Sequence, residues 1–158
     1  MHYIIDPPHV LQADVNLPAS KSISNRALII QALTPGAPTP INLSDCDDTR
    51  VLKDALRLLP SHIDSGPAGT AMRFLTAYLA ITPGEHTLTG SDRMRQRPIG
   101  QLVDALRLLG AEIAYEGEEG FPPLRITGKP ILGGTIEMAG DISSQFVTAL
   151  LLIAPVME

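Results

Sequence analysis

The chain has no tryptophan, a single cysteine and few aromatic residues: 4% of its 158 residues are Phe, Trp or Tyr. With Cys46 alone no intrachain disulfide can form, and no Cys/His cluster has metal-ligand spacing. A disulfide scaffold and a zinc module are therefore excluded, and a reducing cytoplasm fits. Scarce aromatics remove the stacking platforms on which single-stranded nucleic acid is held. The formal net charge of −5 adds to that argument and also speaks against an anionic membrane surface. Long hydrophobic runs are missing too. The most apolar stretch, residues 147–156, is too short to span a bilayer. The first residues, Met1-His2-Tyr3-Ile4-Ile5-Asp6-Pro7, lack a basic start followed by a long apolar core and do not read as a signal peptide.

What is present is enough to fold. The chain is 44% hydrophobic and 18% charged, a size and composition suited to one ordinary domain or two small lobes. Half of its 12 Lys and Arg residues, namely Lys21, Arg26, Arg73, Arg93, Arg95 and Arg97, fall inside three short motifs. These are Ser20-Lys21-Ser22-Ile23-Ser24-Asn25-Arg26, Ser65-Gly66-Pro67-Ala68-Gly69-Thr70-Ala71-Met72-Arg73 and Arg93-Met94-Arg95-Gln96-Arg97-Pro98. A fourth, Ser143-Ser144-Gln145, precedes the last apolar run. Each motif opens a predicted helix, and a helix N-terminus presents free N–H groups and a partial positive charge. An acidic chain that gathers its cations at helix starts points to one focused pocket for a small, multiply charged anion.

The pattern predicts extended pieces at residues 3–5 and 10–17, then a helix over 22–33 whose apolar positions Ile23, Ala27, Ile30 and Leu33 recur at helical spacing. Ser22 and Arg26 share one face of it. A short strand is expected at 41–43, a helix from Asp47 to about residue 59, a plain link over 60–66 and a helix over 69–81. Asp47 and Asp48 suit the first turn of their helix, so capping is at least as good a reading as catalysis. A strand follows at 86–89. Residues 90–97 then form a loop with three arginines, read as an anion clamp, with Pro98 at the first helical position. A helix over 99–109 ends at Gly110. Strands are expected at 112–115, 124–127 and 135–138, and a final helix over 144–153 with Asp141 and Ser143 as caps. Cys46 reads as a partly buried thiol, and His2, His9, His62 and His86 fall outside every motif. The order is mixed α/β. Leu-Lys-Asp-Ala-Leu-Arg-Leu-Leu at 52–59 echoes Leu-Val-Asp-Ala-Leu-Arg-Leu-Leu at 102–109, which points to an imperfect repeat of a βαβαββ unit.

In their order and over nearly the whole chain, these motifs resemble the enolpyruvyl transferases, in particular those acting on shikimate 3-phosphate. The matching residues are Leu17-Pro18-Ala19-Ser20-Lys21-Ser22-Ile23-Ser24-Asn25-Arg26-Ala27, Ala68-Gly69-Thr70-Ala71-Met72-Arg73, Leu88-Thr89-Gly90 with Arg93-Met94 and Arg97-Pro98-Ile99-Gly100, and Ser143-Ser144-Gln145-Phe146. The resemblance implies transfer of the enolpyruvyl group of phosphoenolpyruvate to the 5-hydroxyl of shikimate 3-phosphate, with release of phosphate and without metal or organic cofactor. It implies that Lys21, Ser22, Arg26, Ser143, Ser144 and Gln145 meet shikimate 3-phosphate. It likewise implies that Lys21, Gly69, Arg97 and Gln145 meet phosphoenolpyruvate, and that Lys21 takes part in catalysis. Family members are well over twice as long and fold into two domains of three βαβαββ units each, with the site between them. On that basis residues 1–18 belong partly to the other domain, residues 19–158 form a partial N-terminal domain, and the acid/base carboxylates lie elsewhere. Such a fragment is expected to bind without turning over. The intact enzyme is expected to be a cytoplasmic monomer, with self-association open to the fragment.

Three departures stand out. Pro67 stands where the family usually has Asn, and Phe74 where it often has Pro. The segment 60–66 is also too short for the hairpin expected there, so one unit is trimmed. A related transferase acting on a UDP-sugar typically has a reactive cysteine in the loop corresponding to 90–97, and none stands here. A non-catalytic anion-binding module is a second alternative, and a reading frame continuing past Glu158 separates it from an enzyme fragment. An RNA-end-processing enzyme of related architecture is a third, at odds with the acidic balance.

Overall fold

A computed structural model describes residues 3–4, 6–7, 10, 12–139 and 143–157. Its helices are α1 (Lys21–Leu33), α2 (Asp47–Leu58), α3 (Gly69–Ile81), α4 (Asp92–Arg95), α5 (Gly100–Leu108) and α6 (Ser144–Ile153). Its strands are β1 (His62–Asp64), β2 (Gly84–Thr89), β3 (Glu112–Tyr115) and β4 (Leu124–Gly128). A short 3-10 turn, Ala154–Val156, follows α6.

The four strands form one sheet in the order β1-β2-β4-β3. β1 and β2 are parallel, with α3 as the crossover between them, whereas β4 runs antiparallel to both β2 and β3. The register sets Ile63 beside Leu88, Leu88 beside Leu124 and Ile126 beside Ile113, all buried. Residues two apart share a sheet face, so this one register puts a continuous apolar layer on one side. α3 lies in that layer and is buried from Gly69 to Ala80. It packs on β2, β4, α1, α2, α5 and α6 and is the axis of the core. α2 and α5 present narrower faces: Thr49, Leu52 and Ala55 in one, and Leu102, Val103, Ala105 and Leu106 in the other.

The stretch from β1 to β4 is one complete βαβαββ unit (β1, α3, β2, α5, β3, β4). The echoing segments lie on α2 and α5. In this unit a β-hairpin follows α5, whereas α2 passes to β1 after only three residues, Leu59, Pro60 and Ser61. The trimmed hairpin expected from the sequence is borne out at that junction.

Several expectations need correction. Residues 60–66 are not a plain link, since they contain β1. Residues 41–43 form no strand because Asn42 adopts a left-handed backbone, φ 53°, which breaks an extended run. Residues 135–138 are not a strand either. They lie across α5, where Ile136, Met138 and Ala139 face Ala105 and Leu108 around a cleft of about 190 Å³. Residues 90–97 hold a helical turn, α4, capped by the Ser91 hydroxyl, which accepts from the Met94 N–H at 3.3 Å. Ile99 is the N-cap of α5, so Pro98 stands before the helix and not at its first position. The buried face of α1 is Ser24, Asn25, Leu28 and Ile29, while Ile23 and Ile30 point outward. The helical period was right and the face was rotated. Ser24 and Asn25 are buried because Ser24 Oγ accepts from the Ser44 N–H at 2.8 Å and Asn25 Oδ1 accepts from the Thr49 hydroxyl at 2.7 Å. The expected strand at 3–5, the cap at Asp141, and His2 and His9 involve residues outside those described. Residues 12–20 belong to no helix or strand.

Candidate anion-binding site

The site lies where parallel strands β1 and β2 end, a usual place for ligands in α/β structures. The two loops leaving these strands are tied together. Gly66 N donates to Asp64 Oδ1 at 2.7 Å, and Ser91 N donates to Gly66 O at 3.0 Å. Gly90 is required there, because a Cβ would come within 2.8 Å of Gly66 O. This cross-tie sets the start of α3 beside the arginine loop.

Thr70, in the first turn of α3, joins three of the four motifs. Its backbone N–H donates to Asp48 Oδ1 at 3.2 Å, and Asp48 Oδ2 lies 3.7 Å from Lys21 Nζ at the start of α1. Its hydroxyl accepts from Gln145 Nε2 at 3.4 Å, which brings in α6. The fourth motif arrives at Gly69, where a Cβ would collide with the Arg97 guanidinium and stand 2.9 Å from Nη1 of Arg73. Glycine at this position lets two guanidinium groups crowd the mouth of a helix.

Of the other residues singled out in the sequence, Ser22 is exposed, and its carbonyl accepts from Arg26 Nη1 at 2.9 Å. Arg26 also sits over the Phe74 ring, 5.7 Å from its centroid, a cation–π contact that helps to hold its side chain. Ser143 is the N-cap of α6, its hydroxyl accepting from the Gln145 N–H at 3.3 Å. Ser144 is exposed at the first turn of that helix. The arginine loop is divided: Arg95 is paired with Asp92, whereas Arg93 and Arg97 line a cavity of about 480 Å³ with Pro67, Ser91 and Met94. Arg95 is therefore outside the expected clamp.

Two participants were not identified as site residues from the sequence. Asp48 does not cap its own helix, whose N-cap is Cys46; it reaches over to the start of α3 and to Lys21. Thr70 sits inside a recognised motif, and that was its only signal. Cys46 is half-buried. Burial pushes its thiol up, but hydrogen bonds from Ser44 and Thr49 outweigh this and hold it below its ordinary value. His86 is buried, with Nδ1 2.8 Å from Pro60 O, and is structural; His62 is exposed on β1. Among the described residues no group of His, Cys, Asp and Glu is arranged to hold a metal ion. No helix there is long and apolar enough to cross a membrane.

Chemically, this arrangement is suited to gathering anions. Arg26, Arg73 and Arg97 have no carboxylate within salt-bridge distance among the described residues, and three helix starts meet beside them. The family model described as EPSP synthase (3-phosphoshikimate 1-carboxyvinyltransferase) matches residues 5–65 and 60–158. The chain belongs to the EPSP synthase family. It is 58% identical to a 3-phosphoshikimate 1-carboxyvinyltransferase of Bacteroides fragilis, over 100% of this chain and 38% of the relative. It is 45% identical to one from Shewanella halifaxensis, over 98% of this chain and 42% of the relative. That second alignment runs over 180 positions, more than this chain has, so the relative carries residues without counterpart here. Among solved structures, EPSP synthase from Acinetobacter baumannii superposes with a TM-score of 0.78 at 26% identity, covering 87% of this chain and 37% of that one. The chain thus spans about two fifths of the length of the curated relatives it matches.

Proposed function

We propose that this chain is part of an enzyme that transfers the enolpyruvyl group of phosphoenolpyruvate to the 5-hydroxyl of shikimate 3-phosphate, releasing phosphate, in a route to aromatic amino acids. The observation that carries the proposal is the meeting of all four motifs around the start of α3, through Thr70 and Gly69. Both substrates are anionic, and unpaired cations surround that point.

In this reading Lys21, Ser22 and Arg26 on α1 face Ser143, Ser144 and Gln145 on α6 across the shikimate 3-phosphate. The hydroxyls and first N–H groups of α6 receive its phosphate. Arg97, Gly69, Lys21 and Gln145 hold phosphoenolpyruvate, with the planar fork of Arg97 on its carboxylate or phosphate. The substrate oxygen adds to C2 of phosphoenolpyruvate as a proton reaches its methylene carbon. The tetrahedral adduct then loses phosphate as a proton leaves the new methyl group. Lys21 is the catalytic group on this chain, its ammonium standing where charge develops. The carboxylates that move the other protons are placed in the remaining part of the longer protein, and so are the cations that close over the ligands. Residues 1–18 are assigned partly to that other domain and residues 19–158 to a partial N-terminal domain. The intact protein is taken to be monomeric and cytoplasmic.

The purified 158-residue chain, given both substrates, is expected to bind shikimate 3-phosphate in titration calorimetry and to release no phosphate. Binding should weaken in Ser143→Ala and in Arg26→Ala. Equal affinity for shikimate and its 3-phosphate would overturn the assignment of the phosphate site. Turnover at the rate of the longer protein would place the missing acid/base group on this chain, with Asp47, Asp48 and Lys21 the first to mutate.

A further inference from the structure

Among the described residues Arg73 is the only Lys, Arg, Asp or Glu in the buried class, at 6% exposure. Its Nη1 donates to the Gly69 carbonyl at 2.8 Å, and its guanidinium lies over the Phe146 ring, 5.3 Å from the centroid. Its Nε has no partner, and no carboxylate of the described residues pairs with it. Burial, and then the charge of Arg97, holds its pKa below the ordinary value, yet an arginine stays protonated under these conditions. A buried charge without a counter-charge is costly, and an apolar residue of similar volume would do better in a purely structural role. The two guanidiniums also repel each other across the space beside Gly69, where no Cβ intervenes. Packing alone does not account for this arrangement.

We propose that Arg73 is a positioning residue for the anion held at Gly69 and Arg97, supplying charge from behind Gly69 without touching the ligand. The phosphate or carboxylate of the bound ligand is a counter-charge that the described residues do not supply. Through its bond to the Gly69 carbonyl, Arg73 also fixes the first turn of α3, so that the helix start faces the anion. This inference rests on the reading of Arg97 as a ligand of phosphoenolpyruvate.

The test compares Arg73→Gln, Arg73→Lys and Arg97→Ala in the full-length protein, with each substrate varied in turn. Arg73→Gln is expected to raise KM for phosphoenolpyruvate at least about fivefold, with KM for shikimate 3-phosphate within twofold of wild type. Arg73→Lys restores the charge and should bring KM for phosphoenolpyruvate back to within threefold. Equal losses in the Gln and Lys variants, or an unchanged KM in Arg73→Gln, would overturn the inference. If Arg97→Ala itself leaves phosphoenolpyruvate unaffected, the underlying assignment of the site fails instead. Should Arg73→Gln not fold, titration of Arg73→Lys with inorganic phosphate decides: affinity within threefold of wild type supports the role of the charge, and a loss beyond tenfold contradicts it.

Discussion

Four arginines on the helix surfaces and three near the mouth of α3 are treated in opposite ways. Arg50, Arg57, Arg95 and Arg107 each stand three residues after an aspartate on the same helix and pair with it. Their charges are neutralised locally, in water, where such pairs add little. Arg26, Arg73 and Arg97 have no acidic residue in that position and no carboxylate partner; two of them stack on rings and one lies against a glycine. The single aspartate near them, Asp48, shares its carboxylate between Lys21 and the Thr70 N–H. Lys53 and Arg125 are also unpaired among the described residues, but they stand singly on the surface, whereas Arg73 and Arg97 crowd one glycine. Clustered cations of this kind raise the local potential for an anion, which is the physical basis of the site proposed above.

Breaking this contrast should have graded effects. The largest is expected from Arg97→Ala, which on the proposed reading removes a direct charge-assisted bond worth roughly 1.5–3 kcal/mol and should lower kcat/KM for phosphoenolpyruvate in the full-length protein at least about tenfold. Steady-state kinetics with that substrate varied would check it. Gly69→Ala comes next. Its methyl would displace the Arg97 guanidinium, which lies at the end of a flexible side chain, so KM should rise several-fold while the melting temperature stays close to wild type. Thr70→Val removes the acceptor of Gln145 but keeps the N–H that Asp48 holds. The loss of one neutral hydrogen bond, about 0.5–1.5 kcal/mol, predicts a twofold to tenfold weakening of shikimate 3-phosphate in titration calorimetry. At the other end, Asp54→Asn breaks an exposed pair with Arg57. It should leave kinetics unchanged and shift unfolding by no more than about 0.5 kcal/mol in denaturant titration.

The same contrast explains which features were legible in the sequence. α3 was read with its observed bounds because glycine opens it and a largely apolar run, interrupted by Thr70, Arg73 and Thr76, fills it. The four motifs were read as one site, and the hydrogen bonds at Thr70 together with the crowding at Gly69 bring all four together. The face of α1 was misread because two of its buried residues, Ser24 and Asn25, are polar, and only their partners on the following segment make burial tolerable. β1 escaped notice because three residues give too little alternation to recognise; its identity comes from pairing with β2. The strand expected at 135–138 failed for the converse reason, since an apolar pattern finds a helix as readily as a sheet edge. The contacts of Asp48 with Lys21 and with the Thr70 N–H join segments more than twenty residues apart, and a linear pattern carries no record of that.

The most direct test of the unpaired cluster is the response of the full-length protein's melting temperature to phosphoenolpyruvate at constant ionic strength. A ligand that binds only the native state raises it with the logarithm of one plus the ratio of ligand concentration to Kd. The account predicts a concentration-dependent rise in wild type, an unchanged rise in Arg57→Ala and almost none in Arg97→Ala. The same rise in wild type and Arg97→Ala would contradict it.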